Sequence, residues 1–155
     1  SEMCIRDRVE IFNRELGMDF DEKIILIGAG NLGCALMNYN KWDYVCGEIV
    51  CAFDRDTSKC GNTQYGVPVY PIEQLKEKIP KGCHIAILTN THAVQSTVNQ
   101  LVELGINGFV DFTAKHFVVP KGVAVKCVDV VSSIQELVFE SNSIAEKARK
   151  QNEDE

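Results

Sequence analysis

Gly28, Gly30 and Gly33 punctuate the stretch IILIGAGNLGCALMNY, residues 24 to 39. An apolar run ends at the first glycine, and small and apolar residues at helical spacing follow the last. G-x-G-x-x-G in that context is chemistry for a phosphate. The first glycine allows a tight turn, the second lets a pyrophosphate approach the backbone, and the third lets a helix pack close to its strand. Free N–H groups and the positive dipole end at the helix start then favour the anion. The backbone of Gly28, Ala29, Gly30, Asn31, Leu32 and Gly33 is the candidate phosphate cradle. A second apolar run, GEIVCAFD, ends at Asp54, 21 residues after Gly33. An acid there accepts hydrogen bonds from ribose hydroxyls and repels a 2′-phosphate, which favours NAD(H) over NADP(H). Arg55 stands beside it, and an arginine at that place is able to hold a 2′-phosphate.

The remaining candidates sort by what a reaction would need. Hydride transfer calls for a proton donor or acceptor near the reacting carbon, commonly His, Lys or Tyr. His92 closes the segment Thr89, Asn90, Thr91, His92 after a third apolar run, where the far end of a dinucleotide would lie. Helix capping or solvent contact, cofactor contact and catalysis all stay open for it. Lys115 and His116 follow a fourth run and read as loop surface, and His84 reads as a residue inside a strand. Cys34, next to Gly33, sits where a helix start lowers a thiol pKa, or is simply a small residue packed near the loop. A dehydrogenase of this kind also uses a second domain to hold substrate, and 155 residues leave no length for one. The expectation is a binding module, not an enzyme.

The elements that must position these residues alternate. Residues 23–27, 47–54, 83–89, 108–112 and 122–130 read as buried strands, with a short extended piece at 67–70. Helices are expected at 9–16, at 31–40 with Leu32, Ala35, Leu36 and Tyr39 along one face, at 72–79, at 92–104, and from a cap at Ser132 or Ser133 onward. Residues 55–66 read as loop, and the chain from Ala145 on as a solvated, frayed tail. Apolar strands alternating with helices predict a doubly wound, mostly parallel sheet covered on both faces. Ligands of such folds bind outside the carboxyl ends of the strands.

Composition narrows the classes further. The net charge is −6 and no basic stripe occurs, so the chain itself is a poor nucleic-acid binder. No run is long and apolar enough for a membrane span. Seven cysteines show no metal-ligand spacing. They read as reduced, mostly buried thiols of a cytoplasmic protein, with no metal.

The stretch IGAGNLGCALMNY resembles the glycine loop of Rex, the family of bacterial redox-sensing transcriptional repressors. Asn31-Leu32 and Asn38-Tyr39 go beyond what a dinucleotide turn requires. The resemblance continues in VCAFDRD, GVPVYPIEQL, IAILTNTHAVQSTVNQLVELGINGFVDF and VPKGVAVKCVDV, over roughly residues 9 to 140. It implies a homodimer whose subunits have an N-terminal winged-helix DNA-binding domain, a Rossmann domain for NADH or NAD+, and a C-terminal helix exchanged with the partner. Phe112 and Thr113 would line the nicotinamide pocket. Asp129 would join a polar switch that tells reduced from oxidised cofactor, or would only bond backbone at a strand end. Leu137, Val138 and Phe139 would pack on the second subunit. The family often has Arg or Lys where this chain has Cys34, so a cation for the phosphate is missing there.

The opening residues SEMCIRDR resemble translated adapter sequence. The expected organisation is therefore a leader and linker remnant at 1–22, the Rossmann domain at 23–131, and a dimerisation helix with a charged tail at 132–155, with DNA contacted only through a missing N-terminal domain. Three other readings stay open: a small Rossmann oxidoreductase, a coenzyme A-binding domain using the same loop, and a stand-alone Rex-like NAD sensor without DNA binding.

Overall fold

The computed structural model describes Arg8, Ile11 and residues 22–38, 47–90 and 92–153. Arg8 and Ile11 are helical. The rest of the helix expected at 9–16, together with Tyr39 and Asn40, lies outside the described residues.

Among the described residues seven strands form one sheet: β1 (Glu22–Ile27), β2 (Gly47–Asp54), β3 (Gly61–Asn62), β4 (Pro68–Pro71), β5 (Ile85–Leu88), β6 (Gly108–Asp111) and β7 (Ala124–Cys127), in the order β3-β4-β2-β1-β5-β6-β7. Every pairing is parallel except that of β3 with β4. The helices are α1 (Asn31–Asn38), α2 (Leu75–Lys78), α3 (Val94–Glu103) and α4 (Val130–Glu153). Short 3-10 turns stand at Thr57–Lys59 and Ile72–Gln74.

Strand residues alternate between two buried layers, as the period of two requires, except in β2, where a register shift against β1 between Ile49 and Cys51 puts these two residues in opposite layers. Ile25, Ile27, Cys51 and Phe53 face one layer, which contains Leu75, Val98 and Leu101 from α2 and α3. Leu26, Ile49 and Ala52 face the other, with Met37 of α1. Both faces are therefore covered, and the apolar runs are continuous because both sides of each central strand are buried. The chain lays β1, β2 and β4 in one direction, then crosses to lay β5, β6 and β7 in the other. The reversal falls between β1 and β5, and the carboxyl ends of these strands form the edge where such folds bind ligands.

Several expectations change in detail. In α1 the buried residues are Gly33 and Met37, while Leu32 is 41% exposed. A Cβ at Gly33 would collide with the Gly28 carbonyl oxygen, so the helix rests on that hydrogen-sized side chain and turns Leu32 outward. The loop at 55–66 contains a 3-10 turn and the antiparallel β3. The segment at 72–79 starts as a 3-10 turn before α2. His84 precedes β5 rather than lying in it, with Nε2 3.3 Å from Glu22 Oε2. The last helix begins at Val130, capped by Asp129 and not by Ser132 or Ser133, and continues to Glu153. The residues from Ala145 to Glu153, expected as a frayed tail, are helical and exposed, and a Glu146–Lys150 pair at 3.4 Å spans one turn there. Of the five described cysteines only Cys51 and Cys83 are buried, and Cys127 is exposed on the edge strand.

Candidate functional site

Gly28 has φ +106°, the left-handed region that glycine enters at no steric cost. A Cβ there would strike the Thr89 hydroxyl. That hydroxyl donates to the carbonyls of Ile27 (2.9 Å) and Gly28 (3.2 Å), so the end of β5 is stitched to the turn leaving β1. The first intrahelical bond of α1 runs from Cys34 N–H to Gly30 O at 2.9 Å. The N–H groups of Asn31, Leu32 and Gly33 have no intrahelical acceptor, and no acidic residue occupies the first turn. A Cβ on Gly30 would meet nothing within 4 Å, and Gly30 lines an open cleft. The loop therefore offers the unobstructed backbone that a diphosphate requires.

Asp54, at the end of β2, is 5% exposed. Its Oδ2 accepts from Ala29 N–H at 2.7 Å and its Oδ1 from Asp56 N–H at 2.8 Å. One carboxylate thus pins the glycine loop to the turn that leaves β2. Each oxygen retains a second acceptor site, so the ribose contact expected of Asp54 stays available to it.

Two clefts meet at Asp54. The glycine-loop cleft is lined by Gly28, Gly30, Asn31, Leu32, Gly33, Asp54, Lys59, Thr89 and Asn90. A more apolar cleft lies beside it, with Ile27, Phe53, Ile72, Leu88 and Val94 among its walls and Arg55, Glu73, His92 and Gln100 among its polar groups. An apolar slot next to a phosphate loop and a carboxylate suits an adenosine.

The expected residues divide accordingly. The loop residues, Asp54, Arg55, Thr89, Asn90 and His92 are brought together around these two clefts, with Ala29 behind the loop through its N–H. Thr91 lies outside the described residues. His92 does not cap α3: the cap position is Ala93, at φ +49°, with no side-chain bond. His92 instead donates its backbone N–H to Asn90 Oδ1 at 2.9 Å. Phe112, Thr113 and Asp129 line neither cleft. They follow β6 and β7, and three strand spacings put the β7 end about 14 Å from that of β1. Thr113 is buried, and both its N–H and its hydroxyl donate to Asp111 Oδ1, at 2.7 and 2.6 Å. Asp129 is exposed. It accepts from Ser132 N–H at 3.0 Å and from Ser132 Oγ at 2.7 Å, and these bonds hold its carboxyl below the usual carboxylate range. Lys115 and His116 are exposed.

Lys59, Ile72, Val94 and Gln100 line the clefts without having been singled out by sequence. Ile72 and Val94 fell only within the helices expected at 72–79 and 92–104. Lys59 carried no motif at all. The buried Cys51 thiol is pushed up to about 12 by desolvation and by Cys83 nearby, which makes it a poor nucleophile.

A family model described as CoA binding domain matches residues 19–115. A redox-sensing transcriptional repressor Rex from Halalkalibacterium halodurans is 40% identical over 129 residues, 83% of this chain and 61% of that protein. The chain thus spans about 61% of the length of this curated relative. RSP, a Rex-family repressor, superposes with a TM-score of 0.78 at 26% identity, covering 92% of this chain and 69% of that one. Its complex with beta-NADH gives 0.77 (90% and 69% covered), and that with beta-NAD+ and operator DNA gives 0.75 (92% and 68% covered), both at 26% identity. Seven mostly parallel strands, a glycine loop at the strand-order reversal and these matches place the chain in the CoA-binding-domain family, as a relative of the Rex repressors.

Proposed function

We propose that this chain is the NAD(H)-sensing part of a Rex-type repressor and acts by binding, not by turnover. The observation that carries the reading is the Ala29–Asp54 bond, which closes a bare glycine loop against the end of β2 with a cleft on either side. RSP, in complex with beta-NADH and with beta-NAD+ and operator DNA, supplies the precedent for both redox states and for DNA.

In this reading the loop from Gly28 to Gly33 holds the diphosphate. Asp54 and Arg55 face the adenosine ribose. Thr89, Asn90, Thr91 and His92 border the cofactor, and Phe112, Thr113 and Asp129 face the nicotinamide. Residues 23–131 are the sensing unit, and a helix after it joins two copies in a cytoplasmic homodimer. DNA is contacted by a winged-helix domain N-terminal to this unit. NADH lowers DNA affinity and NAD+ competes with it. By linkage, DNA weakens NADH binding by the same factor.

Calorimetry of this chain against NADH, NAD+, NADPH and coenzyme A tests the reading. NADH binds, and NADPH binds more weakly, because the Asp54 carboxylate opposes an added phosphate by about 1–3 kcal/mol where partly desolvated. Equal or tighter NADPH binding would remove that role from Asp54 and turn attention to Arg55. The family's description makes coenzyme A the second reading, and selective binding of coenzyme A would establish it. Steady, protein-dependent oxidation of NADH by a carbonyl substrate would overturn the sensor reading.

A further inference from the structure

Lys59 stands at the end of the 3-10 turn that follows β2 and lines the glycine-loop cleft together with Gly28, Gly30 and Gly33. Among the described residues it is the one cationic residue on that cleft, which also contains the Asp54 carboxylate. Among the described residues no carboxylate comes within 4 Å of its ammonium. Without Lys59 the formal charge on the described walls would be that of the Asp54 carboxylate alone, which opposes the attraction of the loop's free N–H groups for a diphosphate.

The turn is held in place by two linked carboxylates. Asp56 caps it, accepting from Ser58 N–H at 3.0 Å and Ser58 Oγ at 2.7 Å. Asp56 N–H in turn donates to Asp54 Oδ1, and Asp54 Oδ2 accepts from Ala29 N–H. The backbone bearing Lys59 is therefore fixed to the glycine loop through a single side chain. At the start of α1, Cys34 turns its thiol back to the Ala29 carbonyl at 3.4 Å.

We infer that Lys59 is the cation that binds the ligand's diphosphate over the glycine loop, with Asp54 as its positioning residue. The inference rests on the dinucleotide reading and extends it by adding a side-chain cation from the turn after β2. A lysine ammonium beside a phosphate forms a charge-assisted hydrogen bond. At a site open to solvent its loss is expected to weaken binding about tenfold, and the loss should shrink as salt rises.

The test is calorimetry of the whole chain, comparing Lys59→Ala and Lys59→Arg with the unaltered protein on ADP-ribose, NADH, NADPH and adenosine, at low and high salt. Thermal midpoints check that the variants fold. Lys59→Ala should weaken ADP-ribose and NADH about tenfold and leave adenosine unchanged, with a flatter salt dependence, and Lys59→Arg should restore most of the loss. Unchanged ADP-ribose affinity, or an equal loss on adenosine, would overturn the assignment. A loss confined to NADPH would place Lys59 at the 2′-phosphate instead and would also overturn it. Failure of the unaltered chain to bind ADP-ribose or NADH would remove the dinucleotide reading itself, and this inference with it.

Discussion

At the carboxyl ends of β1, β2 and β5 the chain closes on itself. Asp54 joins the glycine loop to the turn after β2, Thr89 joins β5 to Gly28, and two lined clefts result. The ends of β6 and β7 are finished differently. Asp111 and Thr113 satisfy one another, Asp129 serves the helix behind it, and none of the three lines those clefts. The helix leaving this second region, α4, buries none of its side chains. Val130, Ile134, Leu137 and Ile144 recur on it at spacings of four, three and seven, and Leu137 and Phe139 are 66% and 73% exposed. One half of the edge is complete within a single chain. The other half ends in an exposed apolar stripe, which the second copy of the proposed homodimer would cover.

The largest effect should come from the complete half. Gly33→Val places a branched side chain against the Gly28 carbonyl, which belongs to rigid backbone. Either α1 lifts off β1 or the turn opens. Calorimetry should find NADH binding lost, and the thermal midpoint should fall in keeping with the ~1–3 kcal/mol cost of overpacking. Retained affinity would mean that the ligand does not use this loop. In the open half the effect should fall on assembly. Full burial of a Leu or Val side chain is worth about 1.5–3 kcal/mol. Leu137→Glu combined with Val138→Glu should therefore shift sedimentation from dimer to monomer while leaving ADP-ribose binding intact. A monomer before substitution, or a dimer that survives it, would break the comparison.

What the sequence made legible follows the same division. The glycine loop, Asp54 and the apolar strands depend on local patterns: spacing, period and a residue at a strand end. The loop, Asp54 and the central strands fell where the patterns put them, but residues 122–130, read as a buried strand, form only the edge strand Ala124–Cys127, whose side chains are mostly exposed because no strand pairs beyond it. Lys59 was not legible because its place depends on Asp54 bonding two backbone groups that are distant in sequence, Ala29 and Asp56. Leu32 misled because the face of α1 is set by contact between Gly33 and the Gly28 carbonyl, not by apolar count. The two-residue β3 is too short for any periodicity to register. The extent of α4 was hidden because a charged tail reads as solvated, although one-turn pairs such as Glu146–Lys150 support a helix. Asp129 was weighed as a switch or a strand-end group, when D-x-x-S before an apolar turn is also a helix start.

That double character of Asp129 gives the smallest and most discriminating prediction. Its carboxyl is held below the ordinary value because Ser132 N–H and Oγ–H both donate to the ionised form. A folded-state pKa lowered in this way contributes stability that is fully present above the unfolded value of about 3.9 and is lost as pH falls through the lower folded value. Circular dichroism should therefore show α4 losing helix on the acid side, and Asp129→Ala should lose helix at neutral pH and flatten that acid limb. An unchanged acid limb would mean that other carboxylates govern it. Asp129→Asn separates the two roles, since an asparagine still accepts at a cap but carries no charge. If the carboxylate reads the positive nicotinamide ring, the variant should bind NAD+ more weakly relative to NADH, with helicity preserved. If Asp129 only starts the helix, the ratio of the two affinities should stay where it was.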